Sequence, residues 1–380
     1  MRLTLTFQDF FNSEKAGGLL LLVCTAISLC LANSAIGESY IAAWHAKALG
    51  LSIEHWINDG LMAIFFLLVG LELKRELLGG ELSSLKTALL PVVAALGGIV
   101  VPAAIHLGLN SSLPTRAGAG IPMATDIAFA LGALSLLGKR IPASVKVFLA
   151  ALAVIDDLAA ILVIAIFYTS DLAAMNLAGS LAVFALLLIW NRAGGTSLAP
   201  YLIGGALMWY LMLHSGVHAT IAGVLLAIAI PHNRQQLDKS ATLRLEGVLH
   251  KPVAFLVLPV FAIANTALLL PSGWLDSIGT PNSLGIIAGL LAGKPVGITL
   301  FTVAAVVCGM CRLPGDMRWS HLVGVGLLGG IGFTMSIFIT NLAFPGDAAL
   351  IDSSKIAILL ASLAAGICGF TWLKLSARAS

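Results

Sequence analysis

The stretch FLAALAVIDDLAAILVIAIFY, Phe148 to Tyr168, reads as a membrane span except that two acids, Asp156 and Asp157, sit side by side at its centre. An Asp at the middle of a membrane helix costs about 2.5 to 3.5 kcal/mol on insertion scales, so an uncompensated pair handicaps the span seriously. The apolar run decides the fold class, and the acids inside it mark a candidate site.

Composition fixes the solvent. The chain has 380 residues, of which 59% are hydrophobic and 10% charged, and its mean hydropathy is +1.01; a soluble domain carries about a quarter charged residues. Apolar runs recur from Ala16 to Trp372, each long enough to cross about 30 Å of hydrocarbon. They cover 16–33, 56–78, 88–109, 119–138, 143–168, 176–191, 199–213, 216–231, 252–270, 284–309, 320–344 and 355–373, about twelve spans at the usual length. In a bilayer only helices and closed barrels satisfy their own backbone, and these runs are continuous rather than alternating. The expected fold is therefore an all-α polytopic membrane protein, one integral domain over 1–380.

Lys and Arg are retained in the cytoplasm, whereas acids count for little. One set of alternate loops, with both termini, holds Arg2, Lys15, Arg192, Arg234, Lys239, Arg312 and Arg378 among many basic residues, and the other holds only Lys47, Arg116 and Lys355. The first set and both termini are expected on the cytoplasmic side. A signal peptide at the N-terminus is disfavoured by Asp9 and Glu14 in its flank, and a short interfacial helix leading into the first span is expected instead. The net charge of +3 is dispersed among loops, so no nucleic-acid partner is implied.

Two motifs are discounted. Cys308 and Cys311 form C-x-x-C, but no second pair completes a zinc site and the cysteine total of five is odd. Gly324 to Gly329, GVGLLG, matches a dinucleotide fingerprint without the βαβ unit or the following acid. In a membrane helix such glycines indicate close packing or a break.

Breaks are informative, because transporters bind ions where paired helices are interrupted near the midplane. GAGIPMATDIAFALGALSLLG contains Pro122, Thr125 and Asp126, and GVGLLGGIGFTMSIFITNLAF contains Gly329, Gly330 and Gly332. They are the fourth and eleventh spans. Each is the middle of a three-span set, so inverted repeats over 88–168 and 284–373 are expected.

The ionisable residues at membrane depth are Asp126, Asp156, Asp157 and Lys294, with Asp59, Glu72 and His218 nearer span ends. Successive helix residues point about 100° apart, so Asp156 and Asp157 do not both face one small site. One is expected to face a cavity and the other a partner, for which Lys294 is the one basic residue at that depth. Pro295 directly after it is expected to strain or kink the helix. Asp126, beside an interruption, is placed to balance the positive end of a half-helix.

The strings WINDGLMAIFFLLVGLELKREL, ATDIAFALG, IDDLAAI, SGVHATIAGV, GKPVG and GIGFTMSIFI closely resemble the NhaA family of bacterial sodium/proton antiporters, in the family's order and through nearly the whole chain. The family is itself a known example of inverted repeats, so the breaks agree with the resemblance without being independent of it. The resemblance implies a multi-pass protein of the bacterial inner membrane with crossed, discontinuous spans four and eleven. It implies that Asp157 is the principal ion-binding carboxylate, that Asp156 pairs with Lys294, and that Asp126 and Thr125 lie at the break of span four. It assigns Glu72, Arg75, Glu246 and His250 to a cytoplasmic funnel linked to pH activation, for which the plainer reading is a solvated rim. His218 matches a histidine tied to pH response, for which the alternative is a structural hydrogen bond. No resident cofactor is implied, only transported Na+ or Li+ and H+.

Two departures stand out. Gly247 in RLEGVLHKPV occupies a position where the family often has a second histidine, which bears on the pH setpoint. The first external loop, SAIGESYIAAWHAKALGLSIEHW, is shorter than in members that build a β-hairpin there for dimer contact, which leaves a homodimer open.

The expected chemistry is a competition. A protonated acid has lost the charge that attracts a cation, and a carboxyl that is buried beside a like charge titrates nearer neutrality than in water. Sodium and lithium, small and hard, suit carboxylate, hydroxyl and carbonyl oxygens. An intramembrane aspartyl protease needs its two acids on facing helices, in a G-x-G-D context that the chain lacks. A passive channel needs a pore lined along its length, whereas these charges are few and clustered. The residues therefore point to an exchange of sodium for protons, electrogenic if more than one proton moves per sodium, and to no enzymatic reaction; the resemblance implies that it is pH-regulated.

Overall fold

A computed structural model describes residues 5–80, 82–169, 172–233, 240–270 and 273–377. The loop charges Arg2, Arg234, Lys239 and Arg378 lie outside the described residues. Fifteen helices and one two-stranded ribbon follow in order: α1 Leu5–Ala32, α2 Gly37–His45, β1 Lys47–Ala48 and β2 Leu51–Ser52, α3 Ile53–Gly79, α4 Leu85–Asn110, α5 Ile127–Leu136, α6 Ala143–Phe167, α7 Ala174–Arg192, α8 Leu198–Leu213, α9 Ile221–Ala229, α10 Ala241–Asn265, α11 Trp274–Ile278, α12 Pro281–Val307, α13 Trp319–Gly329, α14 Phe333–Ala343 and α15 Ala348–Ser376. Nine of the described segments are long and apolar enough to cross a membrane as single stretches, and α13 with α14 makes a tenth, bent by 45°. Large apolar side chains such as Ile166, Phe167, Ile203 and Val307 point outward, as they do where lipid is the solvent. The protein is an all-α polytopic membrane protein.

Three expectations change. The short helix expected ahead of the first span is continuous with it: residues 5–32 form one helix, α1, of which Lys15–Ala32 is apolar enough to cross a membrane. The segment at 216–231 is helical only over α9, about 14 Å at 1.5 Å per residue. Gly216 has φ +83°, and the Ser215 hydroxyl accepts from the Val217 N–H, so a turn takes the backbone groups that a longer helix would use. The short first loop, expected to be external, does form a hairpin, with Lys47 opposite Ser52 and Ala48 opposite Leu51. Its tip places Leu49 at φ +53° and Gly50 at φ +90°, signs that a tight hairpin turn requires.

Three spans carry π turns: Trp56–Leu61 in α3, Val253–Val257 in α10 and Gly289–Gly293 in α12. In α12 the Lys294 N–H reaches back five residues to the Gly289 carbonyl. This shift of register accommodates Pro295, the residue expected to distort the helix.

The position of α12 is set by glycine. A Cβ on Gly97 of α4 would lie 2.2 Å from the Gly297 carbonyl oxygen, and one on Gly297 would lie 2.1 Å from that of Gly97. The two backbones touch one turn from Lys294, so this contact fixes how deep the lysine enters the bundle. Gly324 and Gly326 serve the same purpose, packed against Leu373 and Pro295. The main apolar core surrounds α5, α6, α12 and α14, and a smaller one ties α7, α8 and α9 to α3. Gly297→Val is expected to cost about 1 to 3 kcal/mol through overpacking, read as a lowered midpoint in thermal unfolding of the detergent-solubilised protein. An unchanged midpoint would show that the helices are free to separate there.

Candidate functional site

The fourth span is interrupted completely. A 3₁₀ stretch, Pro114–Met123, ends with Ala124 extended at φ −79°, ψ 146°, and α5 begins after Asp126 at φ −79°, ψ 103°. The eleventh breaks between Gly329 and Phe333, where a Cβ on Gly330 would lie 2.4 Å from the Leu290 carbonyl oxygen. The two interruptions cross and bond to each other: the Asp126 N–H donates to the Ile331 carbonyl at 2.7 Å, and the Thr125 hydroxyl lies 2.9 Å from the Gly329 carbonyl oxygen.

Each half-helix start exposes amides that a membrane cannot hydrate. Asp126 answers for both. Its Oδ1 accepts from the Phe129 N–H at 3.0 Å, capping α5. Its Oδ2 accepts from the Thr334 N–H at 3.0 Å and from the Thr334 hydroxyl, in the first turn of α14. The amides of Gly332 and Phe333 go to Ser362 Oγ at 3.2 and 3.1 Å. One carboxylate thus faces two positive helix ends, each worth roughly half a charge.

Asp156 and Asp157, both buried on α6, diverge as helix geometry requires. The fully buried Lys294 places Nζ 2.6 Å from Asp156 Oδ2 and 3.0 Å from Thr125 Oγ1. Thr125 Oγ1 is itself 2.6 Å from Asp156 Oδ2. The hydroxyl has one proton and two acceptors in reach, Asp156 and Gly329, and donates to one at a time. A single oxygen of Asp156 therefore takes the ammonium and competes for the hydroxyl. Among the described residues, Asp156 Oδ1 and Asp157 Oδ1 are buried with no hydrogen-bond donor.

Towards the end of the bundle opposite the hairpin, a cavity of about 30 Å³ is lined by Phe65, Leu68, Val69 and Glu72 of α3, by Ile127 and Ala128 of α5, and by His250, Val253, Ala254 and Leu258 of α10. One water needs about 10 to 15 Å³ on this measure, so there is room for about two. Beyond it Arg75 bridges Glu246 at 2.9 Å and Glu76 at 3.1 Å. Glu72 is buried one turn before Glu76 on α3, and His250 follows Glu246 by one turn on α10. The cavity joins this charged cluster to the first turn of α5, directly after Asp126.

The site residues expected from the sequence fall into three groups. Asp156, Thr125 and Lys294 are mutually in contact, with Asp157 adjacent; Asp126 locks the crossing; Glu72, Arg75, Glu246 and His250 flank or line the cavity. His218 belongs to none of these. Its Nε2 is 2.8 Å from the Tyr168 carbonyl, roughly 17 Å along α6 from the acid pair. Three participants were missed. Glu76 was signalled by its spacing of four from Glu72 around Arg75. Thr334 and Ser362 had no sequence signal, because their partners lie 208 and about 30 residues away.

Buried charges at the crossing of two broken helices, reached by a cavity from one end of a helical bundle, define an ion-coupled membrane transporter. The chain belongs to the Na+/H+ antiporter 1 family, whose pattern it matches over residues 8–373. It is 62% identical over 374 residues to the Na(+)/H(+) antiporter NhaA of Dechloromonas aromatica (strain RCB), covering 98% of this chain and 96% of that protein. To the NhaA of Cytophaga hutchinsonii it is 55% identical over 378 residues, covering 100% and 97%. To NhaA 1 of Flavobacterium johnsoniae it is 57% identical over 374 residues, covering 98% of each. It is thus a member of a family of transporters, not of enzymes.

The Asp156–Lys294 pair is expected to behave as a unit. Lys294→Ala strands a buried carboxylate and should destabilise by about 3 to 5 kcal/mol, whereas Asp156→Asn with Lys294→Gln should recover most of that. Chemical unfolding of the three proteins checks this, and a double variant no better than the single one would refute the pairing.

Proposed function

We propose that the chain exchanges Na+, and Li+ by the same chemistry, for H+ at Asp157 and Asp156. The observation that carries this reading is that two adjacent, fully buried carboxyl groups each keep an oxygen with no donor. A carboxylate so placed is costly unless a proton or a cation satisfies it. Those two satisfactions exclude each other, since protonation removes the charge that holds the metal. Oxygen ligands suit a small hard cation, and Thr125 adds a hydroxyl beside the pair. No resident cofactor is needed.

In this reading sodium enters through the cavity beside Glu72 and His250 and displaces protons from Asp157, Asp156 or both. A rocking motion then turns the site towards the hairpin face, where protons return. The cavity end, with both termini, is cytoplasmic in the inner membrane, in keeping with the excess of Lys and Arg there. If more than one proton moves per sodium, net charge crosses and the membrane potential contributes about 2.3 kcal/mol per charge per 100 mV. Lys294 carries one of those protons if its salt bridge opens, and otherwise remains a partner to Asp156. Asp126 holds the half-helices in register, with Oδ1 capping α5 and Oδ2 on Thr334, and lies beside the pair as a further oxygen donor. The Glu72, Arg75, Glu246 and His250 cluster, through which the cation passes, is the candidate for pH control.

Asp157→Asn is expected to abolish sodium-driven proton movement in proteoliposomes while leaving the unfolding midpoint close to that of the parent. Retained exchange rejects the assignment. Calorimetric sodium binding to the purified protein is expected to weaken about tenfold per pH unit for each proton displaced, on the acid side of the site's titration. An affinity independent of pH would refute the competition itself.

A further inference from the structure

The two sides of the crossing are closed differently. Towards the charged cluster the cavity reaches the first turn of α5. Towards the hairpin, α3, α10 and α14 are joined by two layers of side chains. In the outer layer Asn265, at the end of α10, donates from Nδ2 to Asn58 Oδ1 at 2.8 Å in the π turn of α3. Its Oδ1 accepts from Asn341 Nδ2 of α14 at 2.7 Å. The direction of the chain is settled by the Phe261 carbonyl, 3.1 Å from Asn265 Nδ2: a carbonyl only accepts, so the amide nitrogen must face it.

Nearer the crossing, the same three helices contribute Phe66, Phe261 and Phe338. The Phe338 ring is 5.4 Å from Phe66 and 6.4 Å from Phe261, centroid to centroid. Phe65, 5.3 Å from Phe66, is also a wall of the cavity. From the cavity outward the order is therefore water-sized space, aromatic layer, amide layer.

We propose that the Asn58–Asn265–Asn341 chain is the latch of the outward gate. It holds the half-helix α14 against α3 and α10 while the site faces the cavity, and it parts when the site turns to the hairpin face. The proposal rests on the transport reading above. Amides suit the task chemically. They are neutral, so they place no fixed charge in the path of a cation, and once separated each can bond to the water that enters. A bond of this kind between membrane helices shifts an equilibrium roughly threefold to tenfold, enough to bias a carrier without locking it. Buried amides that merely fasten helices together would lack this directional effect.

The experiment measures KM for sodium separately at each face of oriented proteoliposomes, for the parent, Asn341→Ala and Asn58→Ala. Apparent affinity is reduced by the fraction of carrier open to that face. Loss of the latch should therefore lower KM at the hairpin face roughly threefold to tenfold, and leave KM at the cavity face within about twofold. Equal shifts at both faces, or no shift at either, overturn the proposal. Where Asn341→Ala does not fold, Asn58→Ser at the other half-buried end of the chain must show the same one-sided shift at smaller size. Absence of sodium-driven proton movement in the unaltered protein is the failure of the transport reading itself. Retained exchange without the one-sided shift is the failure of the latch alone.

Discussion

A helix that stops in the middle of a membrane leaves about four N–H groups or four C=O groups at each cut end with no water to satisfy them. The architecture around the crossing follows from meeting that demand. Asp126 accepts from the amides of two half-helices at once, Ser362 takes two more, and the Ser336 hydroxyl donates to the Ile121 carbonyl at 2.7 Å where the 3₁₀ stretch ends. The cuts are thus stitched to each other rather than to solvent. Because the stitches are few and polar, the crossing is the part of the bundle best able to exchange one set of partners for another.

Three buried acids within this small volume have three different circumstances, and the difference is geometric. Asp126 lies in extended backbone, where its carboxylate reaches two helix ends, and its charge is neutralised by dipoles. Asp156 faces α12, whose depth is set by the Gly97–Gly297 contact, and its charge is met by Lys294. Asp157, about 100° further round the same helix, has neither. The insertion penalty that makes an Asp pair in mid-span so unusual is relieved for Asp156 by the Lys294 ion pair. For Asp157 it is not, and its Oδ1 is buried with no donor among the described residues.

The fold class and both interruptions were legible in the sequence because their causes are local: apolar run length, Pro122, the glycines at 329, 330 and 332, and charges with no solvent. The pairing of Asp156 with Lys294 was legible by elimination, since no other base lies at that depth. What escaped was of two kinds. Thr334, Ser362 and the asparagine chain act only through contacts made across the bundle, and Thr, Ser and Asn are unremarkable within a span. The shortened α9 and the continuous α1 turned on whether a turn or a helix takes the backbone bonds. A run of apolar residues such as 216–231 says that the chain is buried, not that it is helical throughout. The His218 contact with the Tyr168 carbonyl at the end of α6 was likewise hidden, because the two residues lie 50 positions apart.

The asymmetry between the two ends follows from the same economy of polar contacts. On the cavity side α3 and α10 are bridged by an ion pair, Arg75 to Glu246 at 2.9 Å, whose charged groups water stabilises wherever it reaches them. On the hairpin side α3, α10 and α14 are joined by neutral amides and aromatic rings, with the ion pairs His55–Asp59 and Glu54–Lys355 further out. A carrier needs one barrier to dissolve as the other forms, and two barriers of the same chemistry would respond alike to any change in hydration. An ion pair between α3 and α10 at the cavity and an amide-and-aromatic layer between α3, α10 and α14 do not. If the proposed latch parts, movement of α14 against α3 and α10 trades one kind of contact for another, the kind of difference between two states that alternating access requires.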